Sequence, residues 1–296
     1  MRIAFLGLGL IGGSIARALR EGGGTEHGTE SWFLSAWTPG GEGPGLALER
    51  GMVDAAPATA DAALEGADLV VLAAPPTACL DLLRDLAGPL KAALAPEVVI
   101  TDVASTKREL TDLAAALDLR YVGGHPMAGV EASGFTAADP TLFRDRPWIV
   151  VPSEDVSAVT RVEALARACG ALPLAMSAAE HDAAVAAISH LPLVLAASLV
   201  EAVAGRDDRQ DQGWSSAAPL AAGGWRSMTR LARGDIDMGT GIVVTNASPL
   251  AARLRDMRDV IDGWIALLEA ADGPDEVAVR ARLASARAIL EDADRG

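Results

Sequence analysis

One of the four histidines of the chain, His125, lies in a segment whose composition suits proton transfer. Residues 123–129 read GGHPMAG, and the glycines and the proline around the histidine predict a turn. Because an imidazole titrates near neutral pH, a histidine held in such a turn can accept or donate a proton during a reaction. The alternative is that the His125 ring bonds only to the backbone of its own turn. His125 is therefore a candidate acid–base residue.

Two further histidines lie in the second half of the chain, beside residues that can bind charged groups. His181 is followed by Asp182, and nine residues separate it from His190. Nine residues make about two and a half turns of a straight α-helix, so we expect the two rings to face different directions and not to form a metal-binding pair. Arg226 and Arg230 are four residues apart on one predicted helix face, where they can grip a carboxylate through forked donors. The alternative is that these arginines pair with acidic side chains on a solvated surface.

A glycine motif near the N-terminus predicts a dinucleotide site. Residues 7–13 read GLGLIGG, follow a predicted strand and open a predicted helix. Gly7 would make the tight turn, Gly9 would let the backbone approach a pyrophosphate, and Gly12 would let the helix pack closely on the strand. Leu10 and Ile11, between the glycines, belong to the same predicted site, where the helix N-terminus offers amide donors to phosphates. The alternative is a glycine-rich turn in a protein that binds no nucleotide.

The end of the second predicted strand bears on which dinucleotide would bind. An acidic residue at this place binds the adenine ribose hydroxyls of NAD and repels the 2′-phosphate of NADP. This chain has the neutral Thr38 there, which permits NADP, but no arginine follows at once to favour it. Either NAD or NADP therefore remains possible. After the third strand, Ala74, Pro75 and Pro76 would turn the chain at the sheet edge where such cofactors lie.

The elements that must position these residues alternate in the first half of the chain. Strand-like apolar runs alternate with helical stretches, which predicts an α/β fold with a Rossmann-type, doubly wound parallel sheet covered on both faces. The predicted strands are residues 2–6, 32–37, 69–73, 98–102, 121–123, 148–151 and 172–176. The predicted helices are 12–20, 46–51, 77–94, which Gly88 and Pro89 break, and 107–117. The segment 101–107, TDVASTK, follows a strand as the histidine segment does, so both loops would meet at the carboxyl edge of the sheet.

The second half of the chain is helical in composition. The predicted helices are residues 178–205, 223–233, 248–271 and 274–293, with a polar loop at 205–213. We therefore predict a dinucleotide-binding domain over residues 1–176 and an all-α domain over 177–296. Apolar residues near the end, such as Trp264, Ile265 and Leu268, suit a helix–helix interface between two copies, or else fill the core of the domain itself.

Composition and charge exclude several classes of protein. The chain carries 25 basic and 40 acidic residues, a net charge of −15, which argues against a nucleic-acid or anionic-membrane partner. We expect no membrane span, because no apolar run reaches about 18 residues, and no signal peptide, because the glycine motif begins at once. The two cysteines make no metal pattern. The expected location is the cytoplasm, and no metal is expected.

Six motifs together resemble those of the prephenate/arogenate dehydrogenase family of tyrosine biosynthesis. The resemblance runs from residue 1 to about residue 254, and its specificity lies in the order and spacing of the motifs. They are GLGLIGGS at 7–14, LAAPP at 72–76, TDVASTK at 101–107, GGHPMAG at 123–129, HDxxxAxxSHLP at 181–192 and GGWRSMTR at 223–230.

The resemblance implies a reaction and roles for named residues. It implies oxidative decarboxylation of a small cyclohexadienol, prephenate or arogenate, with hydride transfer to NAD or NADP in a Rossmann-type domain, followed by a helical domain that forms a homodimer. His125 would accept the hydroxyl proton and Ser105 would orient it. The residues that would bind substrate or shape its pocket are Arg230, Arg226, His190, Glu131 and Asp182.

The chain departs from the family pattern at four positions. Leu193 stands where many prephenate-using members have a second histidine, Ser227 where an aspartate is common, Gly239 where a tryptophan is common, and Thr38 where the ribose-binding acid is usual. The loss of a histidine donor beside the ketone of prephenate would favour arogenate, although the sequence does not decide the substrate.

Two other functions share this domain plan. One is a β-hydroxyacid dehydrogenase or imine reductase; the usual catalytic lysine of those hydroxyacid enzymes lies in the second domain, whereas both lysines here lie in the first. The other is an NAD(P)-binding sensor without chemistry, which would have no need of a proton acceptor. Residues 275–296 are too short for an appended regulatory domain, so none is expected.

Overall fold

The computed structural model describes residues 1–21, 32–130, 132–205 and 213–293. Outside the described residues lie the glycine-rich segment 22–28, residues 206–212 of the polar loop predicted at 205–213, and Glu131. The contacts within the chain separate two compact units, Met1–Ala247 and Ser248–Gly296. The predicted domain boundary near Ser177 stays a prediction.

A five-stranded parallel sheet forms the centre of the first unit, and its order is β2-β1-β3-β4-β5. The middle strand β3 is apolar along its length and all four of its residues are buried, as expected for a sheet covered on both faces. The strands are β1 Arg2–Leu6, β2 Phe33–Trp37, β3 Leu69–Leu72, β4 Val99–Asp102 and β5 Tyr121–Val122. The predicted doubly wound sheet is confirmed.

Helices connect these strands and cover the sheet. One core cluster lies around Phe5, Ile15 and Trp148, and a second lies around Leu6, Leu83 and Leu110. The helices are α1 Leu10–Glu21, α2 Glu42–Glu49, α3 Ala60–Leu64, α4 Pro76–Ala87, α5 Arg108–Ala116 and α6 Val156–Ala168. Helix α4 ends where Gly88 and Pro89 follow, as the sequence pattern indicated.

A second sheet of three strands stands beside the first, and it corrects the prediction for His125. Its strands are β6 Gly124–Pro126, β7 Pro147–Val150 and β8 Leu172–Ala175, with β6 antiparallel and β8 parallel to β7. His125 was predicted in a turn, but it lies in β6 opposite Ile149. The chain changes sheets at Gly123 and Gly124, where a side chain at Gly124 would come within 2.8 Å of the Asp102 carbonyl oxygen.

The helices that follow begin at Ser177, which caps α7 with its side chain in a reciprocal pair with Glu180. A π-helical turn, Ala186–His190, joins α7 to α8, and Pro192 lies in the first turn of α8. Because proline has no N–H and its ring crowds the carbonyl four residues before it, a wider turn at this point relieves the helix. The helices are α7 Ala178–Val185, α8 Leu191–Ala204, α9 Trp214–Ala217, α10 Gly223–Met228 and α11 Ile236–Thr245.

The continuous helical run Ala178–Ala204 corrects the expectation that no segment is long enough to span a membrane. By length and composition alone it could do so, and 22% of its most apolar stretch is buried. Its first turns carry buried polar side chains that bond to the rest of the first unit, as described below. This run is therefore a helix of the folded first unit.

The second unit is a pair of helices. Helix α12, Ala247–Leu268, begins at the last residue of the first unit, and α13 spans Glu276–Ala293. The Arg282 guanidinium donates to the Val260 carbonyl oxygen at 3.0 Å and lies 4.3 Å from the centre of the Trp264 ring, so the two helices contact each other. Both helices were predicted from the sequence, whereas α11 was not.

Candidate active site

The carboxyl ends of β1, β3 and β4 meet at one edge of the sheet, where three loops begin. The turn after β1 is tight because Gly7 has φ +101°, a left-handed conformation that glycine adopts without strain. A Cβ at Gly7 would lie 2.3 Å from the Ala73 carbonyl oxygen, in the loop after β3, and a Cβ at Gly12 would lie 2.8 Å from the Gly7 carbonyl oxygen. Gly7 and Gly12 therefore perform the packing tasks that the motif predicts.

The space above this turn fits the pyrophosphate of a dinucleotide. A Cβ at Gly9 would meet nothing within 4 Å, so Gly9 faces open space rather than protein. Helix α1 begins at Leu10, and the first amides of a helix have no partner within the helix, so those of this turn can bind an anion. At the end of β2 the buried Thr38 hydroxyl has no hydrogen-bond partner among the described residues. A ribose hydroxyl would supply one.

The difference between Gly7 and Gly9 predicts opposite effects of alanine. Gly9→Ala should leave the thermal midpoint of the protein without ligand unchanged, because its Cβ has room, and should weaken dinucleotide affinity at least about tenfold, because that room is needed by the ligand. Gly7→Ala should destabilise the fold itself. Thermal unfolding and calorimetric titration of both variants with NAD and NADP measure this, and a Gly9→Ala protein of normal affinity would contradict the assignment.

A buried ion pair holds the loop after β4. The Lys107 ammonium and the Asp102 carboxylate are both fully buried and bonded to each other. The other Asp102 oxygen accepts from the Tyr121 hydroxyl, and the Ala104 amide donates to the carboxylate at 2.8 Å. Burial, with the Asp102 charge beside it, raises the pKa of Tyr121 well above its ordinary value. The intervening loop, which carries Ser105, is thus fixed at both ends.

His125 is the first member of a chain of three polar side chains. Its Nδ1 lies 2.8 Å from Nε2 of His181, and Nδ1 of His181 lies 2.7 Å from a carboxylate oxygen of Asp182. The Asp182 carboxylate also accepts the backbone amides of Lys107 and Arg108, at 2.8 and 2.9 Å, at the start of α5. Helix α7 is therefore joined to the sheet edge through these contacts.

The surroundings of His125 and Asp182 determine which of these side chains is charged. Burial lowers the pKa of His125 well below its ordinary value, and the nearby His181, Lys107 and His190 lower it further, so His125 is a neutral base at neutral pH. Burial of Asp182 opposes its charge, but the bonds from His181 and from the two amides outweigh burial and lower the pKa of the carboxyl group. Asp182 is thus ionised and accepts hydrogen bonds.

His190 joins the same cluster, although its spacing from His181 predicted a different direction. The Asn246 amide donates to the Asp182 carbonyl oxygen at 2.8 Å and lies 2.9 Å from Nδ1 of His190. The π-helical turn contains one residue more than a regular turn, so the nine residues from His181 to His190 turn the helix as far as eight would in a regular helix. The two side chains therefore leave the helix only about 80° apart around its axis. Burial lowers the pKa of His190 to about 4, and its buried Nε2 has no partner among the described residues.

The structure places the remaining predicted residues as follows. Ser105 is half-buried at the sheet edge and makes no hydrogen bond within the described chain, so the contact that orients His125 comes from His181. Arg226 lies in α10 and Arg230 opens the 3₁₀ turn Arg230–Arg233, and both are exposed. The helix ends between them, so they do not share one continuous helix face as predicted. Pro76 begins α4, directly after Ala74 and Pro75.

Two residues of this cluster were not assigned to the site from the sequence. These residues are His181 and Asn246. The signal for His181 was present, since a histidine followed directly by an aspartate can bond to it when both are buried. Asn246 carried no such signal, because it lies in a segment whose helix, α11, was missed.

The arrangement joins a neutral imidazole to a dinucleotide-binding turn at one sheet edge, with a buried donor, His190, nearby. A base beside a dinucleotide can remove a hydroxyl proton as a hydride leaves the same carbon. The described residues contain no cluster of three metal-ligating side chains. The site therefore suits the oxidation of an alcohol.

Comparison with known proteins agrees with this chemistry. Residues 42–173 match the family model of the prephenate dehydrogenase nucleotide-binding domain, and residues 177–279 match that of the prephenate dehydrogenase dimerization domain. A prephenate dehydrogenase of Lactococcus lactis is 31% identical over 266 residues, covering 88% of this chain and 69% of the relative.

Two solved structures are also similar along most of the chain. Synechocystis arogenate dehydrogenase is 30% identical with a TM-score of 0.73, covering 100% of this chain and 99% of the other. A putative prephenate dehydrogenase of Corynebacterium glutamicum is 31% identical with a TM-score of 0.80, covering 97% and 88%. The chain belongs to the prephenate dehydrogenase family.

Proposed function

We propose that this protein catalyses the NAD(P)-dependent oxidative decarboxylation of prephenate, to 4-hydroxyphenylpyruvate, or of arogenate, to tyrosine. The observation that carries the proposal is His125, a neutral imidazole hydrogen-bonded to His181 at the sheet edge that holds the dinucleotide turn. Both substrates carry a ring hydroxyl at C4 and a carboxylate at C1. Removal of hydride and carbon dioxide makes the ring aromatic, so the enzyme mainly has to align its reactants.

The chain's own residues would act on the hydroxyl proton. A nicotinamide cofactor bound at the glycine turn would supply the acceptor for the hydride of C4. Nε2 of His125 takes the hydroxyl proton as the C4 oxygen becomes a carbonyl. As carbon dioxide leaves, the electrons of the C1–carboxylate bond enter the ring and make the C4 oxygen a phenolate, which takes a proton back from Nε2 of His125. We propose that Ser105, which is half-buried and whose hydroxyl is not engaged by the described residues, bonds to the same oxygen.

For substrate binding we propose His190 and the two arginines. The Asn246 amide donates to Nδ1 of His190, so the proton of the neutral ring is on Nε2, a buried donor that needs an acceptor such as a substrate carboxylate. Arg230 and Arg226 offer guanidinium groups to a second carboxylate. Glu131 stays a proposal at the pocket entrance. Asp182, whose carboxylate is engaged inside the protein, would act through His181.

The substrate side chain would meet an apolar surface. A Cβ at Gly239 would lie 3.8 Å from Cδ2 of Leu193, so the two positions that depart from the family pattern are neighbours. Neither can donate a hydrogen bond to the ketone of prephenate from its side chain. We therefore expect a preference for arogenate.

We propose a homodimer formed by the helical part of the chain, in the cytoplasm. Apolar residues of the last two helices are exposed in the single chain, for example Leu268 at 57%, Val277 at 76% and Leu290 at 67%. Large exposed apolar patches mark contacts with other molecules.

A two-by-two steady-state assay tests the proposed function, with prephenate or arogenate and with NAD or NADP, followed by the absorbance of the reduced cofactor. We expect turnover with arogenate exceeding turnover with prephenate. Comparable rates with both would overturn the preference, and no turnover in any combination while the cofactor still binds would favour a non-catalytic sensor. The cofactor comparison shows what the neutral Thr38 means, since the absence of an acid permits NADP.

A further inference from the structure

We propose that His181, held by Asp182, is a positioning residue that fixes the tautomer of His125 in which Nε2 is the base. This inference rests on the proposed function, because it assigns His125 the task of accepting a proton. The geometry that carries it is the continuous series of contacts from Asp182 through His181 to His125.

The Asp182 end of the series is rigid. His181 and Asp182 are 1% and 2% exposed, so water does not compete for their contacts. The carboxylate receives the amides of Lys107 and Arg108 in addition to the His181 ring, and all three contacts require it to be an acceptor. These amides stand at the start of α5, where the helix dipole favours a negative charge.

The proton positions then follow along the series. Asp182 accepts, so Nδ1 of His181 carries a hydrogen, and in the neutral ring Nε2 of His181 is a lone pair. That lone pair accepts the hydrogen on Nδ1 of His125, which leaves Nε2 of His125 without a proton. With both rings neutral, this is the arrangement that satisfies both hydrogen bonds.

The same series can stabilise the charge that proton uptake creates. When Nε2 of His125 takes the substrate proton, the His125 ring becomes an imidazolium with its Nδ1 hydrogen still directed at His181. Transfer of that hydrogen to Nε2 of His181 would move the positive charge next to the Asp182 carboxylate. No atom is gained or lost in this step, since one proton enters at Nε2 of His125 and one moves between the two rings.

The first test reads the tautomer without any turnover. Nitrogen-15 NMR of the protein without ligand at neutral pH should show His125 with its hydrogen on Nδ1, the signals being assigned by their loss in His125→Asn. In His181→Leu, which cannot accept, the Nε2–H form should appear. A wild-type His125 with its hydrogen on Nε2 would overturn the proposal.

The second test separates positioning from mere packing. His181→Leu should lower kcat by roughly tenfold to a hundredfold, as expected when a partner that orients a histidine is lost. His181→Gln retains an acceptor oxygen near the place of Nε2 and should recover most of that loss. The acid limb of kcat/KM should also move to higher pH in His181→Leu, because the nearby His181 is one of the groups that lower the pKa of His125. A glutamine variant as slow as the leucine variant would overturn the acceptor role.

Asp155→Asn serves as the matched control. Asp155 caps α6 and pairs with Arg120 in the same unit, and it is not part of the series. Its loss should lower the thermal midpoint without changing the His125 tautomer or the acid limb. The two ideas fail separately: absence of turnover in the wild type refutes the proposed function, whereas the NMR measurement decides the His181 role even then.

Discussion

Replacement of His125 by asparagine is expected to lower kcat by roughly a hundredfold to ten-thousandfold, the usual contribution of a general base. An asparagine amide can still donate to Nε2 of His181, because its nitrogen takes the place of Nδ1 of the imidazole. The variant lacks any atom in the place of Nε2. The substitution therefore removes the proton acceptor but keeps the hydrogen bond to His181. For this reason the thermal midpoint and the dinucleotide affinity should stay close to those of the wild type.

The pH dependence of the wild type provides a second check on the same residue. Burial and the neighbouring His181, Lys107 and His190 lower the pKa of His125, so its neutral form persists to a lower pH than that of a free histidine. Activity should therefore fall only as the pH is lowered below the ordinary value of 6.5, when Nε2 becomes protonated. His125→Asn should lose this acid limb. If His125→Asn kept kcat within tenfold of the wild type, or its activity still fell at the same acid pH, His125 would be excluded as the proton acceptor.

The sheet could be predicted because its strands obey simple local rules. A strand at the middle of the parallel sheet is buried on both faces, so it appears in the sequence as a short apolar run such as β3. The tight turn at Gly7 could be predicted for a similar reason, since only glycine is comfortable at its φ of +101°. These features depend on neighbours in the sequence, and the structure agrees with them.

The part of the site that could not be predicted depends on contacts between distant segments. His125 looked like a turn residue because glycines precede it, but they allow the chain to pass from one sheet to another, and pairing with Ile149 makes the segment a strand. His190 was predicted to point away from His181 because the nine-residue spacing was converted to an angle by the geometry of a regular α-helix. Pro192 was the local sign of the wider turn that brings the two rings together.

The Lys107–Asp102 pair likewise shows that the same short motif carries both chemistry and structure. The motif TDVASTK suggested a ligand-binding loop, and nothing in it showed that its last residue would be fully buried. Because Lys107 is buried against Asp102, the fold requires the positive charge of Lys107 to balance the carboxylate. Lys107 neutralises Asp102, and Asp102 in turn receives the amides of Ala104 and Gly124, which lie on either side of the site.

Lys107→Met should therefore destabilise the first unit by about 3–5 kcal/mol, because it leaves the buried Asp102 carboxylate without its counter-ion. The thermal midpoint should fall by roughly 10 °C for a unit of this size. The other lysine, Lys91, is exposed, so Lys91→Met removes the same charge from the chain and should change stability by no more than about 0.5 kcal/mol. Urea unfolding of the two variants gives the comparison.

A double variant distinguishes loss of the counter-ion from loss of packing. Asp102→Asn removes the charge but keeps an oxygen that accepts the Ala104 amide, so adding it to Lys107→Met should recover part of the lost stability. If the damage came from the missing lysine stem alone, the second substitution would only add to it. Equal midpoints for Lys107→Met and Lys91→Met would show that the buried charge does not need Lys107. In that event the loop that carries Ser105 would have to be held by Tyr121 and the backbone amides instead.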